Sequence, residues 1–288
     1  MVPTYLKTHK TKTARFAKWA GGKGGYAKKI VEMVPSGSRY LEPYAGMANV
    51  FLHLDKTYDI IALNDINSDI INAFRVVQDD AKYIELENML TWTPYSFDEF
   101  KKALRIVKDD NASDVQKAWA FFTAQNQGFS GISKHPGNWG RTIDPKVTPE
   151  PDVWQRKVAN LSWWHEKLCN VYLDNRDALD FIEYWDVDEE SVFYLDPPYI
   201  QDTRVSKNVY KHETSDNHHA LLVQKLLTIK GKAVLSGYEH DIYLPLLDNG
   251  WRIERFAAHA SMAAKGRGSS VRGGNIPKRV EAVYIKER

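Results

Sequence analysis

The chain has 288 residues, 43% of them hydrophobic and 26% charged, which fits one large α/β domain with room for an insertion and excludes disordered, collagen-like and low-complexity chains. The one cysteine, Cys169, excludes a disulfide framework and a cysteine-based zinc site, and no apolar run approaches the roughly 18 residues of a spanning helix, so we expect a cytoplasmic protein. The net charge of +2 excludes a strongly basic or acidic composition.

The first part of the chain predicts a βαβ unit. A helical pattern over 26–34 is followed by a short strand at 40–43, a helix at 49–54, a β-branched strand at 58–63 and a helix at 68–77. Two strands separated by a helix within about 30 residues are typical of parallel pairing.

The pattern then changes to helices without a clear strand. Residues 80–127 have helical periodicity, and 128–152 form a long loop rich in glycine, proline and polar residues. Because loops of this length are rarely inert, we interpret 79–151 as an inserted helical unit with a functional loop.

The α/β pattern resumes after the insertion and continues to the end of the chain. We expect helices at 153–167, 178–185, 218–229 and 240–247, strands at 170–173, 191–195, 232–236, 251–256 and 279–285, and a flexible loop at 264–275.

The charges are unevenly distributed along the chain. Residues 1–29 carry eight lysines and arginines and no acid, and residues 255–280 carry six and no acid. This segregation is typical of proteins that bind a polyanion, although two solvated basic faces would look the same.

The most specific motif is Asp196-Pro197-Pro198-Tyr199, directly after an apolar strand. Ligands of open parallel sheets bind at the carboxyl ends of the strands. The two prolines fix φ and remove two N–H donors, so the segment presents rigid oxygen acceptors, while Tyr199 offers a face for stacking. A carboxylate, carbonyl acceptors and an aromatic face suit the exocyclic amine of a planar base, whereas the alternative is a proline-rich turn.

A second motif, Glu42-Pro43-Tyr44-Ala45-Gly46, follows the first strand. Glycine lets the backbone approach a ligand closely. Asp65 lies 19 residues beyond Gly46 at the end of the next strand, near the offset of about 20 for a carboxylate that binds ribose hydroxyls. Its alternative role is the N-cap of the following helix.

Two weaker features complete the set. The segment Phe16 to Lys23 has paired glycines beside Trp19 but does not fit a phosphate-binding P-loop. Asp177 follows the strand at 170–173, where it suits either an adenine amine or a helix N-cap. The histidines show no metal-like grouping, and we expect His9, His212, His218 and His219 to be surface or packing residues.

Together these motifs resemble the Dam/DpnM-like class of DNA adenine-N6 methyltransferases. FAKWAGGK at 16–23, LEPYAGMANVF at 41–51, NDINSD at 64–69 and the Asp-Pro-Pro-Tyr tetrad are similar to that family's motifs, although Ala48 stands where the family has a second glycine. The resemblance implies a Rossmann-like S-adenosylmethionine-dependent methyltransferase fold, with catalytic parts at 1–78 and 152–288 and a helical target-recognition domain at 79–151.

The resemblance also implies roles for individual residues. The catalytic residues would be Asp196, Pro197, Pro198 and Tyr199, acting on an adenine flipped out of the duplex. S-adenosylmethionine would bind Phe16, Trp19, Ala20, Gly21, Lys23, Glu42, Pro43, Tyr44, Ala45, Gly46, Asp65, Ile66, Asp177 and Asp196.

Residues 125–131 resemble the family's recognition loop, with Asn126 in place of an arginine. Arginine contacts guanine or phosphate, whereas Asn and Gln suit the N6/N7 edge of adenine, so the recognition sequence stays open. The expected DNA contacts are Lys12, Asn126, Gln127, Phe129, Ser130, Lys134, Asn138, Arg141, Lys265, Arg267 and Arg272.

The expected partner is double-stranded DNA, with a cognate restriction endonuclease as a further partner, in a cytoplasm of bacterial, phage or plasmid context and with no metal. The alternatives are an amino-methyltransferase acting on cytosine N4 or RNA adenine, and an inactive DNA-binding protein on the same fold. A nicotinamide dehydrogenase lacks its glycine motif here, and a cytosine-C5 enzyme needs a Pro-Cys pair, whereas Leu168 precedes Cys169.

Overall fold

The computed structural model describes residues 15–19, 26–129, 135–200, 216–258 and 279–288. The chain folds into two units, each assembled from two separate stretches of sequence. Residues 1–22 and 67–173 form the helical unit, and residues 23–66 and 174–288 form the sheet unit.

The helices of the described residues run in chain order from the sheet unit into the helical unit and back. They are α1 (Ala27–Met33), α2 (Ser68–Gln78), α3 (Asp80–Thr91), α4 (Phe97–Ile106), α5 (Asp114–Gln127), α6 (Glu150–Ala159), α7 (Leu161–Leu168), α8 (Ala178–Trp185), α9 (Asp216–Thr228) and α10 (Leu244–Asp248).

Seven strands form one sheet in the order β3-β2-β1-β4-β5-β7-β6. They are β1 (Arg39–Glu42), β2 (Ile60–Asn64), β3 (Val171–Asp174), β4 (Ser191–Leu195), β5 (Lys232–Gly237), β6 (Arg252–Ala258) and β7 (Arg279–Lys286). β1 pairs in parallel with β2 and β4, β4 pairs in parallel with β5, and β7 runs antiparallel to β5 and β6. The parallel pairing predicted for the first two strands is confirmed.

The sheet unit buries its apolar strands under helices. Every residue of β4 is buried, and Leu41 pairs in register with Phe193. Phe181 of α8 and Leu222 of α9 belong to the same buried cluster. Because helices cover these parallel strands, their apolar runs need no alternation, and their carboxyl ends meet at one edge.

The helical unit is organised around an aromatic core. The ring of Phe16 packs edge-on against Phe74, Phe122 and Trp164, with centroids 5.2, 5.3 and 5.4 Å away. Side-chain caps start several of its helices, including a reciprocal capping box between Ser113 and Gln116 at α5.

The prediction of a helix at 49–54 is wrong, since the structure has a single 3-10 turn at Phe51–His53. Gly46 and Ala48 both have a positive φ, of 49° and 47°, which turns the chain before a helix can start. The N–H of Phe51 then donates to the Glu42 carboxylate at 2.8 Å instead of to a helical carbonyl.

Two other predicted helices are divided. The helix expected at 153–167 is α6 and α7, separated at Asn160, whose side-chain amide donates to the Arg156 carbonyl at 2.6 Å and competes with the helix backbone. The helix expected at 240–247 is a 3-10 turn at Asp241–Tyr243 followed by α10, which has proline in its first turn.

The limits of the two units also differ from the predicted domain limits. α2 and residues 152–173 lie in the helical unit. The buried side chains of α2, which include Ile70 and Phe74, lie on a helix that packs against α5 and α7, so this unit takes more of the chain than the change of pattern indicated. The predicted loop at 264–275 lies outside the described residues. No helix of the residues that the structure describes is long and apolar enough to cross a membrane.

Candidate active site

The carboxyl end of β1 carries a buried acid. Glu42 is 1% exposed and accepts hydrogen bonds from the Tyr40 hydroxyl and, at 2.8 Å, from the Phe51 N–H. The pKa of Glu42 is raised to about 8, because burial and, to a smaller extent, the charge of Asp196 outweigh the two hydrogen bonds, which lower it. The free site therefore holds a largely neutral carboxyl at pH 7, and a cation bound there would favour its ionised form.

The next acid, Asp65, shapes the turn after β1. Its carboxylate accepts from the Gly46 N–H at 2.8 Å, and the positive φ of Gly46 allows that approach. The N-cap of α2 is Asn67, which accepts from the Asp69 N–H, so Asp65 does not have the capping role that the sequence left open. Ile66 beside it is 48% exposed.

Asp177 does cap a helix. Its carboxylate accepts from the Leu179 N–H at 2.8 Å at the start of α8. Burial raises the pKa of Tyr44, and the negative charge of Asp177 raises it further. The Tyr44 hydroxyl lies 2.7 Å from Nε2 of His218.

Asn64, the first residue of the NDINSD motif, links the loops at this edge, although the sequence assigned it no individual role. The side chain is fully buried, and its amide N–H groups donate to the carbonyls of Pro43 at 2.9 Å and Arg176 at 3.1 Å. Its oxygen accepts from the Arg176 N–H at 3.0 Å, and its own carbonyl accepts from Ala45 at 2.8 Å. The sequence signal for this role was a polar residue at the carboxyl end of an apolar strand.

The Asp-Pro-Pro-Tyr tetrad follows β4 at the same edge. The Ser236 hydroxyl, on the neighbouring β5, donates to the Asp196 carboxylate at 3.2 Å. The Tyr199 hydroxyl donates to the buried Glu281 carboxylate of β7 at 2.7 Å, and its ring centroid lies 4.4 Å from that of Tyr238.

One histidine also supports the tetrad. His219 is fully buried and lies 3.0 Å from the Pro198 carbonyl, so it does more than the surface or packing role expected of it. Neither His219, Ser236 nor Glu281 stood out in the sequence, because each comes from a segment distant along the chain.

Two residues of the predicted N-terminal cofactor motif, Phe16 and Trp19, lie in the helical unit. The Phe16 ring is buried in the aromatic core and offers no side-chain surface to a ligand, while Trp19 is partly buried with its ring centroid 6.5 Å from Phe121. Ala20, Gly21 and Lys23 lie outside the described residues.

Two predicted DNA contacts are buried side chains. Asn126 is 2% exposed and its amide donates to the Phe122 carbonyl at 2.9 Å, while Gln127 is fully buried and donates to Pro94 at 3.0 Å. The structure goes against base readout by these two residues, because α5 packs against several helices of its unit and buries most of its side chains.

The other predicted DNA contacts divide by position. Phe129, two residues beyond the end of α5, is 55% exposed, Arg141 is exposed and Asn138 is partly exposed. The remaining predicted contacts lie outside the described residues: Ser130, Lys134, Lys12, Lys265, Arg267 and Arg272. Within the part of the chain that the structure describes, no group of three or more His, Cys, Asp or Glu residues could hold a metal ion.

The sequence of this chain is similar to that of one family of known proteins. The family model of D12 class N6 adenine-specific DNA methyltransferases matches residues 19–247. The chain is 27% identical over 279 residues to the Type II methyltransferase M.MjaIII of Methanocaldococcus jannaschii, covering 87% of this chain and 93% of that protein.

Two further relatives match most of the same region. The chain is 43% identical over 198 residues to a DNA adenine methylase of Serratia marcescens, covering 65% of this chain and 67% of that protein. It is 26% identical over 262 residues to a DNA N-6-adenine-methyltransferase of Escherichia phage P1, covering 86% of this chain and 33% of that protein.

Proposed function

Since this chain belongs to the family of D12 class N6 adenine-specific DNA methyltransferases, we propose that its sheet edge transfers a methyl group from S-adenosylmethionine to N6 of a flipped adenine in double-stranded DNA. The resemblance inferred from the motifs is thereby confirmed at the level of the family. The observation that carries the proposal is the Asp196–Tyr199 segment at the carboxyl end of β4, held by hydrogen bonds from neighbouring elements.

The tetrad suits an amine substrate. The N6 lone pair of adenine is delocalised into the ring, so the amine is a weak nucleophile. Hydrogen bonds from N6–H to the Asp196 carboxylate and the Pro197 carbonyl favour a pyramidal nitrogen with an available lone pair, and Tyr199 stacks on the base. With S-adenosylmethionine bound, the cofactor would supply the methyl group and keep the electrons of its S–C bond, and Asp196 and solvent would take the proton that N6 loses.

The neighbouring strand ends fit a sulfonium nucleoside. S-adenosylmethionine supplies, when bound, an electrophilic methyl group on a cationic sulfur. Gly46 permits close approach of the backbone. Asp65 would accept hydrogen bonds from ribose hydroxyls in addition to the one from the Gly46 N–H, since a carboxylate has about four lone-pair sites. Glu42 stabilises the cationic end of the ligand, and Asp177 lies at the start of α8 near Tyr44.

We assign target recognition to the helical unit. Among the residues of that unit that the structure describes, Phe129 and Arg141 are the exposed predicted contacts, and we assign DNA recognition to them instead of to the buried Asn126 and Gln127. Phe129 suits contact with an unstacked base, and Arg141 suits a phosphate or a guanine edge. Lys12, Lys265, Arg267 and Arg272 would contact phosphates, which position the protein without reading sequence.

The setting is part of the same proposal. We assign the protein to a cytoplasm in which it methylates double-stranded DNA, with a restriction endonuclease of the same specificity as partner. The relative from Methanocaldococcus jannaschii is named a Type II methyltransferase, whereas others are named DNA adenine methylases.

Substitution of Asp196 tests the proposal. In Asp196→Ala the acceptor for N6–H is lost while the strand ends that bind the cofactor remain, so transfer should fall by about a thousandfold or more, with cofactor binding largely retained. Single-turnover transfer of a labelled methyl group and titration calorimetry measure the two effects. Turnover near the wild-type rate would contradict the catalytic assignment.

A further inference from the structure

We propose that His219 is a positioning residue, which fixes the main chain of the Asp196–Tyr199 segment in the conformation that methyl transfer requires. The inference rests on the proposed function and adds a residue that does not itself touch substrate. It comes from the hydrogen bonds of one buried imidazole ring in the first turn of α9.

The two ring nitrogens of His219 have different partners. Nε2 lies 3.0 Å from the Pro198 carbonyl oxygen, and Nδ1 lies 2.8 Å from the Tyr243 hydroxyl. A carbonyl oxygen can only accept, so Nε2 carries the proton and donates. In the neutral ring, Nδ1 then accepts from Tyr243, whose pKa is raised by burial so that its hydroxyl keeps its proton. Tyr243 therefore selects the tautomer that binds Pro198.

The Pro198 carbonyl is a sensitive place for this contact. The proline rings already fix φ at residues 197 and 198, so little backbone freedom remains in the segment. A hydrogen bond to the carbonyl of Pro198 fixes the peptide plane that leads to Tyr199, and thus the direction from which that ring reaches the base. The buried His219 consequently restrains one of the few rotations that the prolines leave open.

The contact of His219 complements two side-chain contacts in the same tetrad. Ser236 holds the Asp196 carboxylate at 3.2 Å, and Glu281 holds the Tyr199 hydroxyl at 2.7 Å. These three contacts come from β5, β7 and α9, so the Asp196–Tyr199 segment is held in one conformation before a base binds. Reactions catalysed by positioning are sensitive to displacements of about 1 Å, which cost about a hundredfold in rate.

Two substitutions of His219 separate positioning from simple packing. The side-chain amide of Gln extends far enough to replace the Nε2 donor, whereas that of Asn is one carbon shorter and corresponds to the Nδ1 side. We expect the single-turnover rate of His219→Asn to fall by about 10- to 100-fold, while His219→Gln stays near wild type. In both variants the cofactor Kd should be unchanged. Gln224→Ala, an exposed change on the same helix, is the control and should match wild type.

Each outcome decides the matter. A slow Asn variant with a fast Gln variant and unchanged cofactor affinity supports the positioning role. A wild-type rate in His219→Asn, or a loss of cofactor affinity and thermal stability in both variants in step with the rate, overturns it in favour of a bystander or packing role. A wild-type protein that binds cofactor but methylates no adenine contradicts the proposed function itself, and that result is seen before any variant is compared.

Discussion

Glu42 shows how burial changes the chemistry of a single residue. Its folded-state pKa of about 8 lies above the ordinary value of 4.5, so the folded protein holds the proton more tightly than the unfolded chain does. The stability that this neutral carboxyl contributes is complete below pH 4.5 and is lost progressively as the pH rises to about 8.

Glu42→Gln should remove this pH dependence. The Gln oxygen can still accept from Tyr40 and Phe51, but the side chain cannot ionise. Between roughly pH 5 and 9, wild type should lose on the order of a few kcal/mol more of its unfolding free energy than the variant. Thermal melts across that range measure the slope, and Glu85→Gln, at an exposed position, should retain the wild-type slope. Parallel slopes in wild type and Glu42→Gln would refute the buried-acid account.

Asn64 offers a second test at the scale of one residue. In Asn64→Asp, the amide nitrogen that donates to the carbonyls of Pro43 and Arg176 is replaced by a carboxylate oxygen, which can only accept. The loops after β1 and β3 should separate, and the Kd for S-adenosylmethionine should rise by about tenfold or more. Calorimetric titration gives that Kd. The matched control is Asn72→Asp, because the Asn72 amide likewise donates to a backbone carbonyl, that of Asp114 in the helical unit. Equal affinities for S-adenosylmethionine in the two variants would rule out the role of Asn64.

At the scale of elements, the sequence predicted the sheet better than the connections. Apolar runs bounded by turn residues marked β1, β4 and β5 to within one or two residues, because buried parallel strands need little beyond such a run. The 3-10 turn after β1 could not be predicted, since nothing in the local pattern marks the positive φ of Ala48.

The same limit applies to the candidate site. Asp196–Tyr199, Glu42–Gly46 and Asp65 could be predicted as site residues because each lies at or directly after a strand end, where parallel sheets bind their ligands. The burial of Asn126 and Gln127 was missed because it depends on the helices that surround α5. His219 was missed because a single histidine carries no sign of its distant partner.

The backbone of Ala48 has a left-handed conformation, and its cost in folding free energy can be measured. Ala48→Gly loses a buried methyl group but relieves a conformation that costs about 1 to 2 kcal/mol for an L-residue. Ala62→Gly in β2 loses a buried methyl group without that relief. The midpoint of urea unfolding should therefore fall less for Ala48→Gly than for Ala62→Gly, by an amount equivalent to about 1 kcal/mol. Equal midpoints would show that the turn stores no strain.

At the scale of the whole molecule, charge segregation matters more than the net charge of +2. The acid-free segments 1–29 and 255–280 hold fourteen of the 39 lysines and arginines, eight in the first and six in the second. If they neutralise phosphates, the affinity for duplex DNA should fall by about a hundredfold or more between roughly 50 and 200 mM salt.

The basic segment near the C-terminus allows that effect to be measured. Replacing Lys265, Arg267 and Arg272 by alanine should weaken binding to all sequences alike and lower the salt slope by about three, one for each lost cation. Fluorescence anisotropy with cognate and unrelated duplexes gives both quantities. A change confined to the cognate duplex would instead assign these residues to base readout.

The central claim is that this protein methylates adenine N6 in duplex DNA. Its most direct test is to incubate the purified protein with unmethylated duplex DNA and S-adenosylmethionine, and then to identify modified nucleosides by mass spectrometry and their positions by modification-aware sequencing. The account predicts N6-methyladenine at one defined motif, absent in Asp196→Ala. N4-methylcytosine as the product, or methylation of RNA but not of DNA, would contradict it.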